Sequence, residues 1–388
     1  MKIWQWTPNW QGPVLERLEW LTDVLSSKNL TEQAIRLRNV PRRSFEFEVV
    51  VHERQRRTLE AALFGRQAEE WLLPVWPDGA FLDAGVALGA TGIAVDAMYR
   101  DYRAGGQAVL IGGHIAEAVT IDTVLADHIT LVTGTVNAYA RGVRLYPARP
   151  ARMQASQPLQ RLSDELATLT CRLQLTDNSE HALPTPATYR GLPVLEQPPN
   201  WRDDLAADYQ RQIATLDYGV GRRYVEDIAG RGEVLQGHRW TLQGRASIDG
   251  FRAWLYALAG RQGAFWLPTW CQDLRVLGDI AHDALTIDVE HCGFVDHLAL
   301  ALNRRDIEIR IRSGSVFRRR IVAAAAVDAN TERLTLNAHL GVDVAAGDIV
   351  RVSFLQTARL EADAVEIAWH TGALAESAQQ LRVVNHDV

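Results

Sequence analysis

Gly65-Arg66-Gln67-Ala68-Glu69-Glu70-Trp71-Leu72-Leu73-Pro74-Val75-Trp76 returns much later in the chain as Gly260-Arg261-Gln262-Gly263-Ala264-Phe265-Trp266-Leu267-Pro268-Thr269-Trp270. Both read Gly-Arg-Gln, a short spacer, Trp-Leu, then Leu-Pro-x-Trp or its equivalent, and a single-residue gap brings them into register. Self-similarity at a fixed interval is the signature of a repeated folding unit. Working outward, Asn9-Trp10 parallels Asn200-Trp201, and Glu19-Trp20-Leu21 parallels Asp208-Tyr209-Gln210. Arg43 followed by Phe45-Glu46-Phe47-Glu48-Val49 parallels Arg239-Trp240-Thr241-Leu242-Gln243. One tryptophan-proline coincidence arises easily by chance, but several in order at near-constant offset do not. The sequence therefore predicts two copies of one unit, at about residues 9–182 and 201–388.

Between them, Thr176 to Asn200 carries Pro184, Pro186, Pro193, Pro198 and Pro199. That density blocks helix and interior strand alike, so an extended linker, or an arm lying on a neighbour, is expected there.

Each unit reads mainly as β with one short helix. Phe45, Phe47, Val49 and Val51 alternate with Glu46 and Glu48, the period of a half-buried strand. In the second unit Ser247 is the expected N-cap, Phe251, Leu255 and Leu258 the apolar stripe, and Gly260 the stop. In the first, Leu59 and Leu63 make the matching stripe and Gly65 the stop. Pro74 and Pro268 argue for an edge strand or a bulge. Short strands follow in both units. Examples are Ala108–Ile111 and His128–Leu131 in one, Leu285–Val289 and Ile307–Ile311 in the other. Their spacing predicts a small inserted barrel or sandwich per unit, after which the chain returns to the first sheet.

The 388 residues suffice for two sizeable cores, and 47% hydrophobic with 23% charged residues is globular composition. A net charge of −6 argues against a dedicated nucleic-acid binder, yet a mildly acidic wall would let DNA slide past without sticking. Cys171, Cys271 and Cys292 are odd in number and form no Cys-x-x-Cys pair, which points to folding in a reducing compartment. The first residues lack the apolar run of a signal peptide, and no segment has the length and apolarity of a membrane span, so no membrane association is expected.

Sites of chemistry are sparse. His291, Cys292 and His297 with Asp288 and Asp296 are metal-ligand types at spacings that match no zinc signature, so a strand end and a turn are expected instead. Gly219-x-Gly221 lacks the third glycine of a phosphate loop and reads as a strand-connecting turn. Gly85, Gly89 and Gly92 fit no nucleotide fingerprint, and Glu69-Glu70 and Asp203-Asp204 are neighbours on surface loops. No catalytic, cofactor-binding or metal-ligating residue is predicted. Trp71, Trp76, Trp266 and Trp270 could stack sugars. Recurrence at equivalent places favours packing in cores or subunit interfaces, since both copies need the same packing and a binding site need exist only once. Trp10, Trp71, Pro74, Trp76, Trp201, Trp266, Pro268 and Trp270 are the packing and interface candidates, and Trp4, Trp6 and Trp10 suggest an exposed N-terminal arm docking on a neighbour.

Trp20-Leu21-Thr22-Asp23-Val24-Leu25, Glu32-Gln33, Pro41-Arg42-Arg43 and Phe45-Glu46-Phe47 resemble the opening of siphophage tail-tip proteins. The pairing of a strand-helix-strand unit with a downstream β module is similar to distal tail and baseplate hub proteins. The resemblance implies a non-enzymatic structural component of the virion tail tip, assembled in the host cytoplasm, whose first sheet forms a ring continuing the tail channel. It implies an arm over residues 1–8, a tube-like domain over 9–80 and 160–182 with an inserted barrel at 81–159, and a Pro-rich linker at 183–200. A second tube-like domain follows over 201–270 and 360–388, with a barrel at 271–359. Simple distal tail proteins carry one such domain, whereas hub proteins carry two. Two units in a homotrimer would give six quasi-equivalent positions and adapt a six-fold tube to a three-fold tip; a homohexamer using one unit per chain is the other arrangement. Adjacent tail tube and tail-tip proteins would be the partners, with DNA passing through the channel unbound. A host-glycan-binding module is the alternative reading.

Overall fold

The computed structural model describes the whole chain except residues 29, 114, 184, 203–204, 299–300 and 385–388. The fold is mainly β. In the first half the strands are β1 (Lys2–Ile3), β2 (Val14–Glu19), β3 (Thr22–Ser26), β4 (Glu32–Arg36) and β5 (Arg42–His52). Helix α1 (Glu53–Arg66) follows, then β6 (Glu70–Pro74), β7 (Ala80–Phe81), β8 (Gly92–Ala94), β9 (Gln107–Gly112) and β10 (Ile115–Val124). The half closes with β11 (His128–Leu131), β12 (Arg144–Met153), β13 (Leu159–Arg161) and β14 (Leu166–Leu175). Two short strands, β15 (Thr188–Tyr189) and β16 (Leu192–Pro193), lie in the proline-rich stretch. The second half holds β17 (Ala207–Leu216), β18 (Tyr224–Gln243), α2 (Arg245–Leu258), β19 (Phe265–Pro268), β20 (Thr286–Glu290) and β21 (Asp306–Ile311). It ends with β22 (Val316–Asp328), β23 (Thr331–Leu336), β24 (Ile349–Leu360), β25 (Ala364–Thr371) and β26 (Leu374–Val383).

The pairing order of the first half is β2–β5–β14–β12, with β12 also holding β6 and β9, and β9–β10–β11–β8 running on from it. That of the second is β17–β18–β26–β24, with β24 holding β19 and β21, and β21–β22–β23–β20 running on. All these ladders are antiparallel. Small details recur as well. Asn9 donates its backbone N–H to Glu48 O and Asn200 to Arg239 O, an interval of 191 residues at both ends. Gln11 N–H then donates to Asn9 Oδ1 at 3.3 Å, and Arg202 N–H to Asn200 Oδ1 at 2.9 Å. Each half swings from strand to helix through a positive-φ residue, Glu53 (φ 45°) or Gly244 (φ 81°), whose N–H reaches Glu165 O or Ala373 O.

β5 is a strand because its apolar residues alternate: Phe45, Phe47, Val49 and Val51 are buried and Glu48, Val50 and His52 exposed. α2 is amphipathic, burying Ile248, Phe251, Leu255 and Leu258 on one face. It begins at Arg245 behind Gly244, so Ser247 is inside the helix and caps nothing through its side chain. It ends through left-handed Ala259, with Gly260 beyond it, and Gly260 has no room for a Cβ against Trp20 and Asp363. α1 runs through Gly65, which is therefore not its stop, and Leu59 is its one buried residue.

One apolar cluster spans both halves, from Trp4, Phe47, Trp71 and Leu169 to Trp240, Phe251, Phe265 and Trp369. Two further clusters lie under residues 80–145 and 274–354. Those two segments do not close into barrels. β8 and β20 hydrogen-bond along one edge to β11 and β23. On the other side the described residues make one isolated bridge each, Leu82–Val95 and Val276–Val289.

Two expectations about the ends of the first unit change. Trp4 and Trp6 are buried in the chain's own core, Trp4 packing edge-on to Trp6, Phe47 and Trp71, and β1 runs parallel to β6. The first residues are thus a sheet edge, not an exposed arm. The proline-rich stretch is extended and lies on its own second half: Leu195 N–H bonds Trp266 O, and Trp266 Nε1–H donates to Tyr189 O.

Candidate assembly surfaces

The two halves are welded edge to edge. β25 of the second half pairs antiparallel with β2 of the first, in the register Val14–Trp369, Glu16–Ile367 and Leu18–Val365. A continuous row β17–β18–β26–β25–β2–β5–β14–β13 results. α2 stands over this seam and packs Tyr256 edge-on to Trp20 at 5.7 Å.

Beneath α2 lies a buried ionic cluster. Glu16 sits on the apolar phase of β2 between Val14 and Leu18, and Arg43 on that of β5. Glu16 accepts from Arg43 Nε at 2.7 Å, Arg252 Nη2 at 2.5 Å and Trp369 Nε1 at 2.8 Å. Asp78, fully buried, is shared by Arg252 at 3.3 Å and Arg245. Arg43 also bonds Asp101 at 2.5 Å, and Arg149 links Asp101 at 3.1 Å to Asp177 at 2.6 Å. Arg252 and Arg245 lie over the Trp369 ring at 4.7 and 5.4 Å. Burial pushes the Glu16 carboxyl up, but the Arg252 and Arg43 guanidiniums outweigh it and hold the group below the usual carboxylate range. Asp78 and Asp101 are held low by the same competition, with Arg252 and Arg245 acting on the first and Arg43 and Arg149 on the second. Separating these groups would leave charges buried and unpaired, at a large cost in stability. Sequence reasoning missed it, although arginines and a glutamate on apolar phases are a readable signal.

A cleft of about 310 Å³ opens beside the cluster, with Asp101, Arg103, His181, Asp249 and Tyr256 in its wall. Within it Arg103 pairs with Asp101 at 2.9 Å, and His181 Nε2 lies 3.2 Å from Asp249 Oδ1.

The outer ends of the row are different. All ten residues of β17 are exposed, whereas β2 buries every second one. Beyond Tyr209 (71% exposed) the β17–β18 hairpin projects apolar side chains into solvent, including Tyr218 (77%) and Val220 (80%) at its tip. Gly219 and Gly221 form that tip with positive φ, a strand-connecting turn. At the opposite end β13 pairs, among the described residues, on one side only, with β14, and nearby on α1 Phe64 is 97% exposed.

Of the eight packing candidates, Trp71, Pro74, Trp76, Trp266, Pro268 and Trp270 are buried, Trp10 half-buried and Trp201 55% exposed. Pro74 and Pro268 each end their strand. The buried tryptophans present no open face on which a sugar could stack. Trp71 and Trp76 belong to the main core, Trp266 packs with Val194 and Leu355, and Arg351 lies over Trp270.

Among the metal-type residues, His291 Nδ1 lies 3.7 Å from Glu332 Oε1. Asp288 is held by Arg333 at 2.7 and 2.8 Å. Cys292 Sγ lies 3.5 Å from Glu332, a buried carboxylate that accepts the N–H groups of Cys292, Phe294 and Val295. No group of three or more His, Cys, Asp or Glu side chains that could hold a metal ion is present among the described residues. No described helix is long and apolar enough to cross a membrane.

No protein-family model matches the chain, and no curated protein sequence matches it.

Proposed function

We propose that the chain is a non-catalytic structural component of a phage tail tip, built from two copies of one β module that share a ring around the tail channel. The observation that carries this reading is the pair of halves with one pairing order, joined edge to edge, which leaves one edge of each kind unpaired at the two ends. An object with two complementary, non-identical edges associates head to tail, and such association closes into a ring when the rotation per copy divides the circle. Three chains then supply six quasi-equivalent modules, matching a six-fold tube above and a three-fold tip below; six chains, each contributing one module, is the other closed solution. The apolar side chains that the β17–β18 hairpin exposes, from Tyr209 to Ile228, support assembly, because clustered exposed apolar groups mark interaction surfaces. The net charge of −6 suits a channel that lets DNA pass without holding it. In this reading the partners are tail tube and tip proteins, and the location is the virion.

Native mass spectrometry and rotational class averages of the purified protein test the proposal. A closed homo-oligomer with a central channel is expected. A monomer at every concentration, alone and mixed with tail tube protein, overturns it.

A further inference from the structure

We infer that the chain's own second copy docks by laying its β13 edge antiparallel on the β17 edge of the first, with Leu159 opposite Ala207. This rests on the ring reading and supplies the contact that reading leaves open.

The template is the seam inside the chain. There β2 pairs with β25, Glu16 opposite Ile367 and Leu15 opposite Ala368. The ladders fix which residues hold the same places at the open ends. Glu16 lies across β5 from Leu173, through Phe45; Ala207 lies across β18 from Leu381, through Gln236. Leu173 and Leu381 in turn pair with Met153 and Leu360 at the ends of β12 and β24. Ala207 therefore occupies the place of Glu16. On the other side, Ala368 pairs with Glu376 and Gln160 with Thr168, and these two face Thr241 and Val50. Gln160 occupies the place of Ala368, and Leu159 that of Ile367. Carrying the seam register across sets Ala207 opposite Leu159 and Ala206 opposite Gln160.

Hydrogen-bond parity tests that register independently. In an antiparallel strand the N–H and C=O of one residue point to the same side, and the next residue's point to the other. Gly237 N–H donates to Ala206 O at 3.0 Å, so Ala206 faces inward and Ala207 turns its groups outward. Thr170 N–H donates to Pro158 O at 3.3 Å, so Pro158 faces inward and Leu159 outward. The two outward residues are the two that the register sets opposite each other. A slip by one residue would bring spent groups together and turn every side chain to the wrong face. The proline of this edge lacks its N–H on the inner side, where the outer ladder does not need it.

Cover is missing where this docking would supply it. α2 over the inner seam buries seven residues, while α1, in the same place on the first half, buries one and leaves Phe64 in solvent. A β17 edge seated under α1 of a second copy would shield both.

Directed cross-linking decides it. In a Cys271→Ser, Cys292→Ser background, Ala206→Cys and Gln160→Cys form a non-hydrogen-bonded pair with Cα atoms about 4.5 Å apart, within disulfide reach. Mild oxidation is expected to give covalent oligomers ending in one closed species, and loss of the cross-link when Gln160→Cys is replaced by Arg161→Cys. Ala207→Pro removes an N–H that has no partner among the described residues, so it should keep the wild-type circular dichroism and lose the oligomer. If wild type forms its ring but the Ala206→Cys/Gln160→Cys pair stays uncross-linked, the docking inference falls and the ring reading stands; the cross-link decides even if Ala207→Pro misfolds. Covalent dimers without a closed species would uphold the edge pairing and overturn the ring, and a wild type that is always monomeric removes both.

Discussion

β2 and β17 occupy the same place in two pairing orders, yet one is buried on alternate residues and the other exposed along its whole length. The helices above them differ likewise: α2 is sunk into a seam and α1 lies open. The difference follows what stands beside each strand. β2 has a neighbour on both sides, β17 on one. The side chains at the two edges differ to match. Glu16 and Arg43 form the ionic cluster at the covered edge, and Ala207 and Val234 hold their ladder places at the open one.

The strongest way to break this comparison is to remove one partner from the cluster. Arg252→Ala removes one of the two guanidiniums from each of Glu16 and Asp78, leaving Arg43 on the first and Arg245 on the second, and should cost about 3–5 kcal/mol by urea denaturation. Glu60→Ala on α1, which cuts the partly exposed pairs to Arg56 and Arg161, should cost less than about 1 kcal/mol. Equal costs would show the covered seam to be no more dependent on its charges than the open surface.

The next effect is a pH dependence confined to the second half. His238 stacks on Trp240 at 5.8 Å, and burial pushes its imidazole down to about 4. Between the ordinary 6.5 and 4 the unfolded chain binds this proton and the folded chain does not, so stability falls as pH falls through that window. The loss should approach about 3 kcal/mol by pH 4. Phe47 holds the matching ladder place in the first half, so His238→Phe should fold and lose this slope. An unchanged slope in thermal melts across that window would assign it to other groups.

Smaller still, Asn9→Ala and Asn200→Ala each delete a side-chain acceptor for the N–H two residues on, and should cost about 1 kcal/mol apiece. Markedly unequal losses would mean that the two turns are not doing the same job. Phe64→Ser should leave the isolated monomer within about 0.5 kcal/mol of wild type in calorimetry.

The sequence made the β character, the helices and the alternation of β5 legible, because side-chain periodicity reports them directly. It did not make the alignment of the halves legible in detail. Matching Phe45 with Trp240 is off by four residues from the ladder places, which set Val49 beside Trp240, and matching Glu19 with Asp208 is off by two. Even slips keep every side chain on its face, so alternation cannot detect them. Trp4 and Trp6 misled because an aromatic segment near a chain end reads the same whether it seeks a neighbour or its own core. The ionic cluster stayed hidden because its members, from Glu16 to Arg252, come from elements far apart in the chain and only the β2–β25 seam brings them together.

That seam has a mechanical corollary. In a ring closed through the outer edges, every second joint would be stitched by covalent continuity and buried charge, while the joints between would rest on backbone ladders and apolar contact. Strain from a passing load would then gather at three compliant joints, and the ring would dilate as three stiff arcs swinging apart, not as six equal staves.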